Sequence, residues 1–188
     1  MILEFTFEVE PSIDWPSVNV IVNGQSQRQV MLSSAISVFT ISCPFDLEQN
    51  TVTVDYFSKT PQHTLIKNGN IVQDESVRFV ELRFDDILVE PWVWNQGIYC
   101  PRYFKGFSDA NPGAPVSISA DRHWFFPGTY NMGPWPPDEK FWWWYRDERR
   151  RKTLDVIQKI DGNREDSHMG SLDNYQEEID KIKRILGV

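Results

Sequence analysis

In ILEFTFEVE, residues 2–10, Leu3, Phe5, Phe7 and Val9 alternate with Glu4, Thr6 and Glu8. A helix would scatter four such side chains around its axis, whereas a strand lays them on one face, which must then be covered. The theme recurs. VNVIVNGQSQRQVML carries an Asn-Gly suited to a tight turn between two strands, followed by the run from Ser37 to Ser42, TVTVDYF (51–57), the turn Asn68-Gly69-Asn70 and ESVRFVELRF (75–84). In the last segment Val77, Phe79 and either Leu82 or Phe84 cannot share one face of a regular strand, which predicts a bulge or burial on both faces. Short strands with turn chemistry between them predict a mainly β fold, an antiparallel β-sandwich of jelly-roll type.

The texture changes from Pro91 to Pro137. Pro91, Pro101, Pro112, Pro115, Pro127, Pro134, Pro136 and Pro137 break any long regular element, and seven of the eight tryptophans lie between Trp92 and Trp144. Irregular chain and short edge strands pinned by rings are expected there. A first helix is predicted from about Asp138 to Ile160, supported by Asp147 with Arg151 and Glu148 with Lys152 at i,i+4. The polar stretch 161–171 reads as a hinge. Ser171 then caps a second helix whose Leu172, Tyr175, Ile179, Ile182 and Leu186 follow a 3,4,3,4 spacing, a short seam that needs a partner. The expected organisation is a sandwich with an aromatic and proline-rich extension over 1–137, and a helical docking segment over 138–188.

Charge is as uneven as the tryptophans. Residues 1–90 carry 5 Lys/Arg against 13 Asp/Glu, and residues 91–188 carry 14 of each. The acidic half repels phosphate backbones, so no nucleic-acid partner is expected. Cys43 and Cys100 are too few for a disulfide scaffold and read as free thiols. The start MILEFTFEVE lacks the pattern of a signal peptide, and no run approaches the ~20 apolar residues of a membrane span.

Catalytic signatures are missing. The chain has no G-x-S-x-G elbow, phosphate-binding glycine loop or H-E-x-x-H, and His63, His123 and His168 stand in separate segments. No catalytic residue is assigned and no enzyme is expected. Asp74, Glu75, Asp85 and Asp86 border the strongest strand as candidate calcium ligands, although a solvated sheet end explains them as well; calcium is the one cofactor that comes into question. Trp92, Trp94 and Trp124 are candidate platforms for sugar rings, with core or interface as the competing roles. The run Phe141, Trp142, Trp143, Trp144, Tyr145 points its rings all around a helix, so one supporting sheet cannot cover them. With Arg149 nearby, this run and the seam of the second helix are the expected protein interface.

VQDESVRFVELRFDDILVEPWVWNQGIYCPRY, then HWFFPGTYNM and KFWWWYRDE, resembles small virion-associated proteins of tailed phages that infect cyanobacteria and other marine bacteria. The matching positions are Val77–Val89, Trp124–Tyr130 and Phe141–Arg146, within roughly residues 50–150. The strand half is similar in kind to the β-sandwich of calcium-dependent carbohydrate-binding modules. The resemblance implies a non-enzymatic component of a virion (tail, neck or capsid accessory protein), assembled in the host cytoplasm and docking on other virion structural proteins or on its own copies. The alternative expectation is a carbohydrate-binding module, with a glycan as partner and calcium as a candidate cofactor.

Overall fold

The computed structural model describes residues 2–42, 50–135 and 139–166. Three hairpins turn on two-residue connections in which both residues have positive φ: Asn23-Gly24 (51°, 76°), Asn68-Gly69 (52°, 77°) and Asp85-Asp86 (45°, 65°). This is the geometry that matches the right-handed twist of paired strands, and Asn, Asp and Gly tolerate it best. The Asp85-Asp86 pair is therefore the tip of a hairpin.

Two antiparallel sheets form a sandwich. The first has the order β4 (Ile36–Ser42), β1 (Ile2–Glu10), β8 (Ser76–Phe84) and β9 (Ile87–Leu88). The second runs β11 (Ile118–Ser119), β10 (Ile98–Pro101), β12 (Gly128–Trp135), β5 (Asn50–Tyr56), β2 (Ser17–Val22) and β3 (Gln25–Met31). A separate ribbon pairs β6 (Thr64–Lys67) with β7 (Asn70–Asp74). The segment from Pro91 onward adds two short helices, α1 (Pro91–Trp94) and α2 (Lys105–Ala110), and α3 spans Glu139–Asp166.

The alternation in β1 buries Leu3, Phe5, Phe7 and Val9 against inward residues of both sheets, among them Val18, Val20, Val52 and Val54. Rings dominate the centre: Phe79 lies 5.3 Å from Phe7, 4.7 Å from Trp94 and 5.6 Å from Tyr130, centroid to centroid. These separations suit tilted and edge-to-face packing, which adds to the burial of the rings.

Strand β8 resolves the conflict in its sequence with a bulge. Phe7 pairs with Phe79 and Thr6 with Glu81, which leaves Val80 as an extra residue in the ladder. The slip of one residue returns Leu82 and Phe84 to the face already occupied by Val77 and Phe79, and all four are buried. Next to this strand, Val77 makes an isolated bridge with Trp124: Val77 N–H donates to Trp124 O at 3.3 Å and Trp124 N–H donates to Val77 O at 2.7 Å. The Trp124 indole lies parallel to the Tyr99 ring at 4.3 Å, tying β8 of the first sheet to β10 of the second.

Contacts divide the chain into two compact units, Met1–Tyr145 and Arg146–Val188, and the division falls inside α3. In the first unit Phe141 and Tyr145 are buried against Phe84, Trp142 and Trp144 are half-buried, and Trp143 is 70% exposed. In the second unit Arg149 is exposed and Arg151 pairs with both Asp147 and Glu148. The hinge expected from residue 161 does not begin there, because α3 continues through Asp166. A glycine such as Gly162 costs a helix only about 1 kcal/mol relative to alanine, too little to end it. The seam residues Leu172, Tyr175, Ile179, Ile182 and Leu186, like Cys43 and His168, lie outside the described residues. No described helix is long and apolar enough to cross a membrane.

Deleting Val80 would remove the bulge and turn one half of β8 outward. The expected loss is several kcal/mol, a large share of the stability of an ordinary domain. Val80→Ala, at a half-buried position, should cost about 1 kcal/mol. Chemical denaturation of both variants checks this, and a deletion variant as stable as Val80→Ala would refute the role of the bulge.

Candidate functional site

An open cleft of about 720 Å³ lies against β10 and the irregular chain between β10 and β12. Every described residue lining it falls between Tyr99 and Phe126. Buried Tyr99 contributes its lining beside β10, and the walls are aromatic. Phe126 packs 4.5 Å from Phe107 and 4.8 Å from Tyr103, while Tyr103 and Phe107 lie 5.2 Å apart. Rings that brace one another in this way are held before any ligand arrives. Phe125 is 43% exposed and lies 5.8 Å from the nearly parallel His123 imidazole.

Two features position Tyr99. A Cβ on Gly128 would stand 2.6 Å from the Tyr99 ring and 2.5 Å from Cys100 O, so only glycine allows β12 to pass so close to it. The Tyr99 hydroxyl donates to Phe126 O at 2.6 Å, and burial pushes its pKa well above the ordinary phenol value, so it remains a donor. Across the cleft the Tyr103 hydroxyl donates to Pro115 O at 2.7 Å, closing the loop that carries Pro115 onto the aromatic wall.

The cleft is not where sequence reasoning placed the sugar platforms. Trp94 and Trp124 are buried in the core, leaving no open ring face for a sugar, and only Trp92 is exposed, at 53%. Phe125, immediately after Trp124, holds the exposed position in the cleft. The bridge to Val77 accounts for this, since it carries Trp124 into the sandwich and its sequence neighbour out of it. His123, which stands apart from the other histidines in sequence, lines the cleft.

The four candidate calcium ligands do not form one site. Asp74 and Glu75 precede β8 and Asp85 and Asp86 follow it, so an extended strand of about 30 Å separates the two pairs. Each pair also has partners of its own. Glu75 is fully buried, accepts the Tyr56 hydroxyl at 2.6 Å and lies 2.7 Å from His63 Nδ1. Asp74 takes the Lys59 ammonium and, at 2.6 Å, the Thr64 hydroxyl. Burial lowers the Lys59 pKa, with Asp74 opposing the shift, and burial together with the Glu75 bond raises that of Tyr56. This cluster joins the β6–β7 ribbon to the end of β5. Asp85 accepts from Ile2 N–H at 2.7 Å and from the Tyr145 hydroxyl at 2.8 Å, joining the hairpin tip to β1 and to the start of α3. Among the described residues no group of three or more His, Cys, Asp or Glu could hold a metal ion. The four candidate carboxylates therefore do not make one calcium centre, and no step below involves one.

No family model matches the chain, and no curated protein matches it. Two solved structures are similar in fold. One, vCBM60 in complex with galactobiose, is 12% identical with a TM-score of 0.45, over 71% of this chain and 99% of that one. The other, the SeMet form of vCBM60, from work linking two families of calcium-dependent carbohydrate binding modules by circular permutation, is 11% identical with a TM-score of 0.46, over 70% and 91%.

Replacing Trp124 by Ala should destabilise the protein by about 3–5 kcal/mol, as expected of a fully buried large ring. Trp92→Ala should change stability by no more than about 0.5 kcal/mol. Thermal melts of the two variants check the assignment; a Trp124→Ala protein that melts like the parent would mean that this indole is not core.

Proposed function

We propose that this protein is a non-catalytic glycan-binding module and that the cleft between Tyr99 and Phe126 is its binding site. The observation that carries the reading is the cleft itself: preassembled rings with one exposed phenyl, Phe125, beside polar groups from Asn111, Ser119, Arg122 and His123. A pyranose has apolar faces, which stack on an aromatic ring, and an equator of hydroxyl groups, which need hydrogen-bond partners at the rim. Apolar walls with a few fixed polar groups are the usual make-up of a small-ligand site. Ser119 in the lining has a carboxylate beside it in Asp121, but among the described residues no histidine is bonded to either, so binding is the activity proposed.

A second reading, docking on another protein through the start of α3, has its own observation. Trp143 is 70% exposed between the half-buried Trp142 and Trp144, and an indole covered on docking is a strong hot spot. Its assignment to a phage particle rests on the sequence resemblance alone.

The two readings separate in one experiment. Phe125→Ala should weaken retention on immobilised neutral oligosaccharides by about tenfold, on the order of the 1.4 kcal/mol that one ring contact contributes, with an unchanged melting temperature. Trp143→Ala should leave that retention unchanged. Equal retention of Phe125→Ala and the parent would remove the cleft from the account.

A further inference from the structure

The hydroxyl donors of the cleft are already occupied, whereas the guanidinium of the exposed Arg122 in the lining has no hydrogen bond among the described residues. The hydroxyls of Tyr99 and Tyr103 donate to the carbonyls of Phe126 and Pro115, and that of Ser119 donates to Asp121 Oδ1. One N–H of the Asn111 side chain donates to Phe107 O at 3.0 Å; a carbonyl only accepts, so this fixes the amide with its Oδ1 still able to accept.

His123 follows the same rule through a longer chain. Glu10 and Ser76 stand opposite each other in the β1–β8 ladder, and the fully buried Ser76 hydroxyl donates to Glu10 Oε2 at 3.0 Å. Ser76 Oγ also lies 3.2 Å from His123 Nδ1. A serine has one hydroxyl proton and a carboxylate has none to give, so the bond between Ser76 and His123 needs an N–H at Nδ1. The neutral imidazole then has a bare Nε2, which has no hydrogen bond among the described residues.

We infer that Glu10 and Ser76 are positioning residues that hold His123 in its Nδ1–H form, so that Nε2 is a fixed acceptor for a saccharide hydroxyl in the cleft. The inference rests on the glycan-binding reading. Hydroxyl groups supply the donors that the oxygens of Tyr99, Tyr103 and Ser119, Asn111 Oδ1 and His123 Nε2 can accept. Arg122, the cationic side chain in the lining, supplies donors for ligand oxygens and disfavours an amine.

Long-range proton–nitrogen NMR correlations of the histidine rings, recorded at about pH 8 where an ordinary imidazole is neutral, test the chain of bonds without any ligand. The parent should show His123 protonated at Nδ1. Glu10→Ala, at an exposed position, frees the Ser76 proton to turn toward Nδ1 and should move the His123 proton to Nε2 with the fold intact. A parent already protonated at Nε2, or a tautomer indifferent to Glu10→Ala, overturns the relay. In binding, Glu10→Ala and His123→Phe, which keeps the ring beside Phe125, should each weaken a neutral oligosaccharide by about tenfold. Variants that bind the neutral oligosaccharide as tightly as the parent overturn the acceptor role of His123. If the parent binds no oligosaccharide, the glycan reading falls, while an Nδ1–H signal that responds to Glu10→Ala still upholds the relay.

Discussion

The two backbone hydrogen bonds between Val77 and Trp124 fix how the cleft meets the sandwich. They hold an otherwise irregular, proline-broken segment against β8 and insert the Trp124 ring between Phe7 of the first sheet and Tyr99 and Tyr130 of the second. With the indole fixed, its neighbours have little freedom: His123 falls beside Ser76, and Phe125 is left facing solvent. The exposed ring of the proposed site and the buried ring that supports it are thus consecutive residues. The arrangement also places the polar chain from Glu10 at the edge of the core, where Ser76 is fully enclosed and its single proton has a fixed destination.

Rigidity is the property that links the fold to the site. The bulge at Val80 keeps Val77, Phe79, Leu82 and Phe84 on one face, so the strand that carries the bridge has no alternative register that buries the same set. On the other sheet, Gly128 lets β12 approach the Tyr99 ring, and Tyr99 then bonds to Phe126 O. A ligand entering the cleft meets rings and acceptors already in place, which reduces the ordering cost of binding.

Much of the strand half was legible in the sequence because its physics is local. The period of two in residues 2–10 gave β1 its buried face, the Asn-Gly pairs gave the hairpin turns, and the conflict among Val77, Phe79, Leu82 and Phe84 announced an irregularity in β8. The cleft was not legible in the same way. In chain without a regular period nothing local says which of Trp124 and Phe125 turns inward; a long-range bridge to Val77 decides it. The histidine at position 123 stands alone in its segment because its partners, Ser76 and Glu10, are distant in sequence. Carboxylate pairs misled for a related reason: adjacent acids look like ligands until Asp85 and Asp86 prove to be the positive-φ residues of a turn and Glu75 the buried acceptor of Tyr56. The aromatic run of α3 was read correctly in one respect, since its rings cannot all be covered and Trp143 is exposed.

The central claim is a location: saccharides bind in the cleft built from residues 99–126. Backbone amide shifts followed during titration with a neutral oligosaccharide test it most directly. The account predicts that the largest changes cluster at Tyr103, Phe107, Asn111 and His123 to Phe126, while the β6–β7 ribbon and the residues around Trp92 and Trp143 stay unchanged. Saturable changes centred on Trp92 or Trp143, with the cleft unaffected, would contradict it.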